Sequence, residues 1–396
     1  MKVVKVEVIE IEQSGQVGIP SWRHEFARVH TDEGIVGLGE VGMAYGTGAP
    51  AAAPMMMTLA ERFVLGADPF VTESIWESML RRTIWGEGGG PVIFGAMSAL
   101  DAALWDIKGR ALGVPVHRLL GSKTPAPMRC YASQLQFDWN EVSVAPIGPP
   151  EGYREVGAKA RAEGYDCVKV DPAMIGPDGI RNPNLRGLFT PDERNLFRTR
   201  MEALREGVGT NCDIIVELHS FTSSAGALQI IELTRDLDIL FFEEPTHYNS
   251  THAHVHLAKQ SGAPLAAGER LYTRWGFLPY LEAGSLGMIQ PDIGLVGGIS
   301  EGFKIAHLAH AYDIGVQAHI CGSPLATAIG LQFEAAIPNF EIHEHHTFAL
   351  KPTNRELFEQ DLQPVKGKFS VPTTPGFGMD FTAAAERQML KREVKL

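Results

Sequence analysis

Four cysteines in 396 residues, none of them in a CxxC pair, offer neither a disulfide framework nor a thiolate zinc site. Cys130, Cys167, Cys212 and Cys321 each lie in or beside an apolar run, which predicts buried, reduced thiols. No apolar run approaches the ~20 residues that cross a bilayer. No Lys/Arg cluster relieves a net charge of −12, so neither nucleic acid nor an anionic membrane is an expected partner. Low-complexity segments are absent. The opening MKVVKVEVIEIE alternates and carries charge, so it reads as a strand rather than a secretory leader, and the expected location is cytoplasmic.

What is present is an ordinary globular composition, 44% hydrophobic and 21% charged, and three glutamates at Glu217, Glu243 and Glu269, each 26 residues from the next. Each closes a short apolar run (DIIVE, ILFFE, APLAAGE). Such a run reads as a buried strand that delivers an acid to its C-terminal end. The step matches one strand, one helix and two loops, so three successive units would hold three carboxylates side by side. Carboxylates that converge repel one another unless a cation lies between them, and hard oxygen ligands suit Mg²⁺.

The chain divides by pattern. Residues 1–125 read as strands, a hairpin turning at Asp32-Glu33-Gly34, and helices, the clearest being AMSALDAALWDIKGRAL. Over residues 126–350, short apolar runs alternate with helical stretches: MRCYAS, CVKVD, DIIVEL, ILFFEE, APLAAGE, GMIQPD, GVQAHI and FEIHE. Eight strands at that spacing predict a (β/α)₈-type barrel. Residues 351–396 are rich in Pro and Gly and are expected to return to the N-terminal domain.

Barrel chemistry sits at the C-terminal ends of the strands. The residues ending the strands are Lys169 and Asp171, Glu217 and His219, Glu243, Glu269, Asp292, His319 and Glu344. His219 lies two residues past Glu217, and in an extended strand both would face the same way. HAHVH at 252–256 looks metal-like, but on a helix its histidines diverge and make no single site.

The ordered motifs ELH, FFEEP, AAGE, IQPD, AHICGSP and IHE, with SALDAALWDIKGRALGVPVHRLLG before them and PGFGMD after, resemble the enolase superfamily, mandelate racemase subgroup. The resemblance implies an α+β cap built from both termini over a (β/α)₇β barrel, usually in a homo-oligomer. It implies Mg²⁺ on Glu217, Glu243 and Glu269, and removal of a proton alpha to a carboxylate. His319 and Asp292 match the family's base dyad. Racemases of the subgroup carry KxK on the second strand; here Lys169 is followed by Asp171, which disfavours two-base racemisation. Lys169 is expected either to meet a substrate oxygen or to form a salt bridge beneath the metal. Glu244 is expected behind the ligands, holding Lys169 or another polar group.

Acid-sugar dehydratases of the subgroup pair a carboxylate ligand with x-His, whose imidazole protonates the departing 3-hydroxyl, a role that falls here to His219. Those enzymes commonly have Asp where this chain has Glu217. Glu344 matches their strand-eight glutamate and, if neutral, would donate a hydrogen bond to the substrate. Trp22 and Arg23, after the Gly/Pro loop and near Tyr45, are expected to read the far end of the substrate, with Asp171 a further contact. The expected function is dehydration of a linear aldonate of the galactonate, gluconate or mannonate kind. A racemase, epimerase or cycloisomerase of a related acid is the alternative, and a sugar-acid-binding barrel with little turnover is the third reading.

Overall fold

The computed structural model describes residues 1–13, 22–43, 49–84, 86–123, 125–142, 144–182 and 185–396. The N-terminal strands are β1 (Val3–Gln13), β2 (Trp22–Thr31) and β3 (Val36–Glu40), followed by the helices α1 (Ala49–Leu59), α2 (Thr72–Arg81), α3 (Pro91–Leu112) and α4 (Val116–Leu119). The expected turn joins β2 to β3, with Gly34 at φ +80°, a conformation only glycine takes without strain. Helix α3 lies on β2 and β3. At Gly37 and Gly39 a Cβ would fall 2.1 and 1.9 Å from the Ala103 and Ala99 carbonyl oxygens, so that contact requires two bare backbones.

The barrel alternates strands and helices. In chain order these are β4 (Met128–Ser133), α5 (Pro150–Ala162), β5 (Cys167–Val170), α6 (Pro191–Val208), β6 (Asp213–Glu217), α7 (Ser224–Leu233), β7 (Ile239–Glu243) and α8 (Thr251–Ser261). The series continues with β8 (Leu265–Ala267), α9 (Thr273–Glu282), β9 (Met288–Ile289), α10 (Gly298–Ala311), β10 (Gly315–Val316), α11 (Pro324–Glu334) and β11 (His343–His346). Every strand read from the sequence is present. They pair in parallel in the order β10-β9-β8-β7-β6-β5-β4-β11. The ring closes where Val316 N–H donates to the Asn339 carbonyl (2.8 Å) and Glu341 N–H to the Val316 carbonyl (3.0 Å).

Of the tail, β12 (Lys368–Phe369) pairs with β4, and β13 (Leu390–Lys395) adds to β1, completing a second, antiparallel sheet in the order β13-β1-β2-β3. No helix among the described residues is long and apolar enough to cross a membrane. All four cysteines are free and buried, as their apolar surroundings predict.

Period two stacks the barrel interior in tiers. Tyr131, Cys167, Ile215, Phe241 and Ile342 share an apolar cluster inside the strands. Two residues on, the same strands carry Ser133, Lys169, Glu217, Glu243 and Glu344, all buried. Intervening residues such as Val168, Val216 and Phe242 belong instead to the cluster that includes α5 and α6. Strand β11, HEHH, is wholly buried despite its polarity because each side chain is partnered. His343 meets Glu334, His345 meets the Tyr165 hydroxyl at 2.6 Å, and His346 Nδ1 accepts the Phe348 N–H at 3.2 Å.

Candidate active site

Glu217, Glu243 and Glu269 each present one oxygen within 4.8 Å of the others', and all three are buried. β6 and β7 pair with Glu217 directly opposite Glu243, so the even sequence step becomes even spacing along the rim. Burial pushes the Glu243 carboxyl up most; Lys169 opposes it, Glu217 and Glu344 add to it, and it rests at about 8. Burial also acts on Glu269, but His319, Arg270 and His219 outweigh it and draw that group down to about 2. Three buried hard-oxygen donors so unevenly held form a set that could hold a divalent cation.

Lys169 lies beneath them. Its Nζ is 2.6 Å from Glu243 Oε1, 2.9 Å from Glu344 Oε1 and 3.2 Å from Glu217 Oε2. Burial alone would depress this ammonium, yet the three carboxylates raise it well above its ordinary range. The expected salt bridge beneath the three glutamates is present.

Glu344 faces Lys169 from β11. Burial favours its neutral form, but Lys169, His319 and His346 together hold it below the ordinary carboxylate range. Both oxygens already accept hydrogen bonds, from Ser133 Oγ (2.6 Å) and the Ile320 N–H (2.9 Å). These contacts brace Lys169 and the strand ends.

Two imidazoles stand at opposite ends of the ligand row. His319 Nδ1 is 2.8 Å from Asp292 Oδ2, and its Nε2 is 3.3 Å from Glu269 Oε2. Burial would lower His319, but Glu269 and Asp292, with Glu344, lift it to about 10. A cation held by Glu269 would offset that charge. Asp292 Oδ1 accepts the Gly294 N–H at 2.8 Å, and a Cβ on Gly42 would sit 2.6 Å from the same oxygen.

His219 Nε2 is 3.2 Å from Glu217 Oε1, and its Nδ1 is 2.8 Å from Asp171 Oδ2. Burial lowers it; Glu217 and the Asp171 bond prevail, and it rests at about 9. The expected cause of its inward aim is corrected: β6 ends at Glu217, and His219 has left-handed backbone, φ 49°. Gln134 (φ 67°), Ser220 (φ 59°) and Glu244 (φ 47°) share that conformation at neighbouring strand ends. Such backbone costs on the order of 1 kcal/mol or more per residue and gathers at functional sites.

Asp171, expected as a substrate contact, is buried with both oxygens engaged within the chain. Glu244 does not hold Lys169; its Oε1 accepts the Gly268 N–H at 3.0 Å and its Oε2 the Ser220 hydroxyl. Trp22 is buried over Phe348, ring centroids 3.8 Å apart, beside His24 and His346. Arg23 faces the other way, as alternation along β2 requires, and pairs with Glu12 on β1 at 3.1 Å. The Gly/Pro loop before Trp22 and Tyr45 lie outside the described residues, as do two positions of the loop after β5.

Gln134 and Gln290 carry no sequence signal, yet both reach the ligands. Gln134 Nε2 donates to Glu217, and Gln290 Nε2 donates to Glu243 Oε2 at 2.6 Å. Their uncharged amides stand at the ends of β4 and β9, and only the strand-end position marks them in the sequence. On α8, His254 is buried while His252 and His256 are exposed, so HAHVH makes no cluster.

Residues 153–385 match the enolase C-terminal domain-like family, and residues 23–121 match the mandelate racemase/muconate lactonizing enzyme N-terminal domain. The chain is 30% identical to a D-galactonate dehydratase of Xanthomonas oryzae pv. oryzae, over 94% of this chain and 91% of that protein. It is likewise 30% identical to a D-galactonate dehydratase of Ralstonia pickettii, over 92% and 90%. Among solved structures, a member of the enolase superfamily from Salmonella Typhimurium matches with TM-score 0.95 and 42% identity over the whole of both chains. A chain from Zymomonas mobilis ZM4 matches with TM-score 0.96 and 43% identity, also over the whole of both.

Proposed function

The chain belongs to the mandelate racemase/muconate lactonizing enzyme family of enolase-like proteins, and from that membership we propose that it is a Mg²⁺-dependent dehydratase of a sugar acid. The observation that carries this reading is the pair of carboxylate-backed imidazoles at the two ends of one ligand row. Elimination of water needs a base for the carbon and an acid for the oxygen. The relatives named as D-galactonate dehydratases support an aldonate as substrate.

Glu217, Glu243 and Glu269 would hold the cation. When bound, Mg²⁺ supplies Lewis-acid stabilisation of the charge that develops on the substrate carboxylate as its α-carbon loses a proton. His319 Nε2, oriented by Asp292, takes the C2 proton. The electron pair of that C–H bond moves onto the carboxylate, then returns to form the C2–C3 double bond as the C3–O bond breaks. His219 Nε2 gives its proton to the departing hydroxyl, which leaves as water. The enol tautomerises to the 2-keto-3-deoxy acid. Lys169 and Glu344 keep the floor of the site charged and fixed.

Incubation of the Mg²⁺-loaded protein with a panel of aldonates and aldarates is expected to yield a 2-keto acid from at least one. His219→Asn should abolish dehydration while leaving exchange of the C2 hydrogen with D₂O; full dehydration by that variant would remove His219 from the mechanism. The second imidazole also favours one other outcome. Inversion at C2 without loss of water would make the chain an epimerase, with His219 as the opposing base.

A further inference from the structure

The position that carries a second lysine in the subgroup's racemases holds Asp171, whose contacts give it another task. It stands one residue past β5. Its Oδ1 accepts the N–H groups of Ala173 and Met174, both at 2.9 Å, and its own N–H donates to Gln136 Oε1 at 3.1 Å. The two bonds to Oδ1 thus lock the carboxylate in rotation, and the third anchors its backbone. Only Oδ2 remains, and it lies 2.8 Å from His219 Nδ1. A carboxylate oxygen only accepts, so Nδ1 carries the hydrogen and Nε2 is left facing Glu217 at 3.2 Å. His219 needs such a holder because it lies past the end of its strand on left-handed backbone, where strand pleating no longer aims a side chain.

We propose that Asp171 is a positioning residue that fixes the ring orientation of His219 and holds a hydrogen on its Nδ1, so that Nε2 presents the second hydrogen to the leaving hydroxyl. The inference rests on the dehydratase reading for the identity of that hydroxyl, not for the hydrogen on Nδ1. It gives the chain two dyads of the same build, Asp292–His319 for the carbon and Asp171–His219 for the oxygen.

Two substitutions separate this task from simple support of the loop. In Asp171→Asn, an amide oxygen turned to the two backbone N–H groups leaves its NH₂ facing Nδ1, which removes the hydrogen from Nδ1 and disfavours the doubly protonated ring that gives up a proton at Nε2. Asp171→Ser retains a hydroxyl that can accept the same N–H groups as an ST-turn, but it is too short to hold the imidazole. For both variants kcat for dehydration is expected to fall by about 10²–10⁴-fold. KM should stay within about threefold, and C2 exchange in D₂O should continue.

The companion measurement is ¹⁵N NMR of histidine-labelled, Mg²⁺-loaded protein, with the His219 signal identified by its loss in His219→Asn. Wild type should show a protonated Nδ1, and Asp171→Ser should lose that signature. Near wild-type dehydration by Asp171→Ser would reduce Asp171 to a loop staple and overturn the proposal. An unprotonated Nδ1 in the wild type would overturn it too, even if neither variant folds. If the wild type dehydrates no sugar acid, the proposed reaction fails on its own account, and the protonation of Nδ1 in the wild type still decides the role of Asp171.

Discussion

At the scale of single residues, the site depends on cations and small side chains placed where nothing else fits. Lys169 is the ammonium among three buried carboxylates, and Lys169→Met leaves them uncompensated. Loss of one partner from a buried charge cluster costs about 3–5 kcal/mol. The expected result is a lower Tm without metal and a larger rise in Tm on adding Mg²⁺, both read by calorimetry. Gly42 is the bare backbone against Asp292 Oδ1. Gly42→Ala should push the Asp292–His319 pair aside and, on the proposed mechanism, lower kcat by up to about 10²-fold, the penalty of an ångström's misplacement, with little change in Tm. Steady-state kinetics beside a melting curve checks both halves.

At the scale of elements, helix α11 follows the strand end that carries His319, and its N-terminus is capped from the other sheet. Glu40, the last residue of β3, accepts the N–H groups of Ser323 (2.9 Å) and Ala326 (3.0 Å), and also the Ser323 hydroxyl, with His24 on its flank at 3.0 Å. An anion there satisfies orphan donors and meets the positive end of the helix dipole. Glu40→Gln sets an amide among N–H donors and should cost about 2–3 kcal/mol, read as a lower denaturant midpoint. This contact joins residues 283 apart, and no local pattern announces it. The eight strands were legible because a parallel strand buried on both faces spells a short apolar run, and the acids closing those runs named the ligand row. The particular partners of Glu244 were not, since its backbone turns left-handed past the strand and period two stops applying. The amides of Gln134 and Gln290 carry no charge, so composition does not distinguish them from surface glutamines. Alternation along β2 puts Arg23 on the opposite face from Trp22 and His24, where it meets Glu12.

At the scale of the whole molecule, stability should depend on pH through the cap. Glu25 is fully buried, and burial, with the opposing Glu10 across the strand pair, lifts its carboxyl to about 9. A folded-state value above the unfolded one means that the native chain binds this proton more tightly. The stabilisation is complete below pH about 4.5 and disappears as pH rises toward 9, so on this account Tm falls over that interval. Glu25→Gln should flatten the decline and raise Tm at pH 8 by a few degrees, measured by scanning calorimetry across pH. The tiers inside the barrel have a wider consequence. Along five strands, the side chain that sets the girth of the barrel and the one that faces the candidate site are two residues, or about 7 Å, apart. Selection can therefore exchange the upper ring for a different reaction while the lower ring goes on specifying the same container. A lineage built this way can change its substrates without having to solve its folding again.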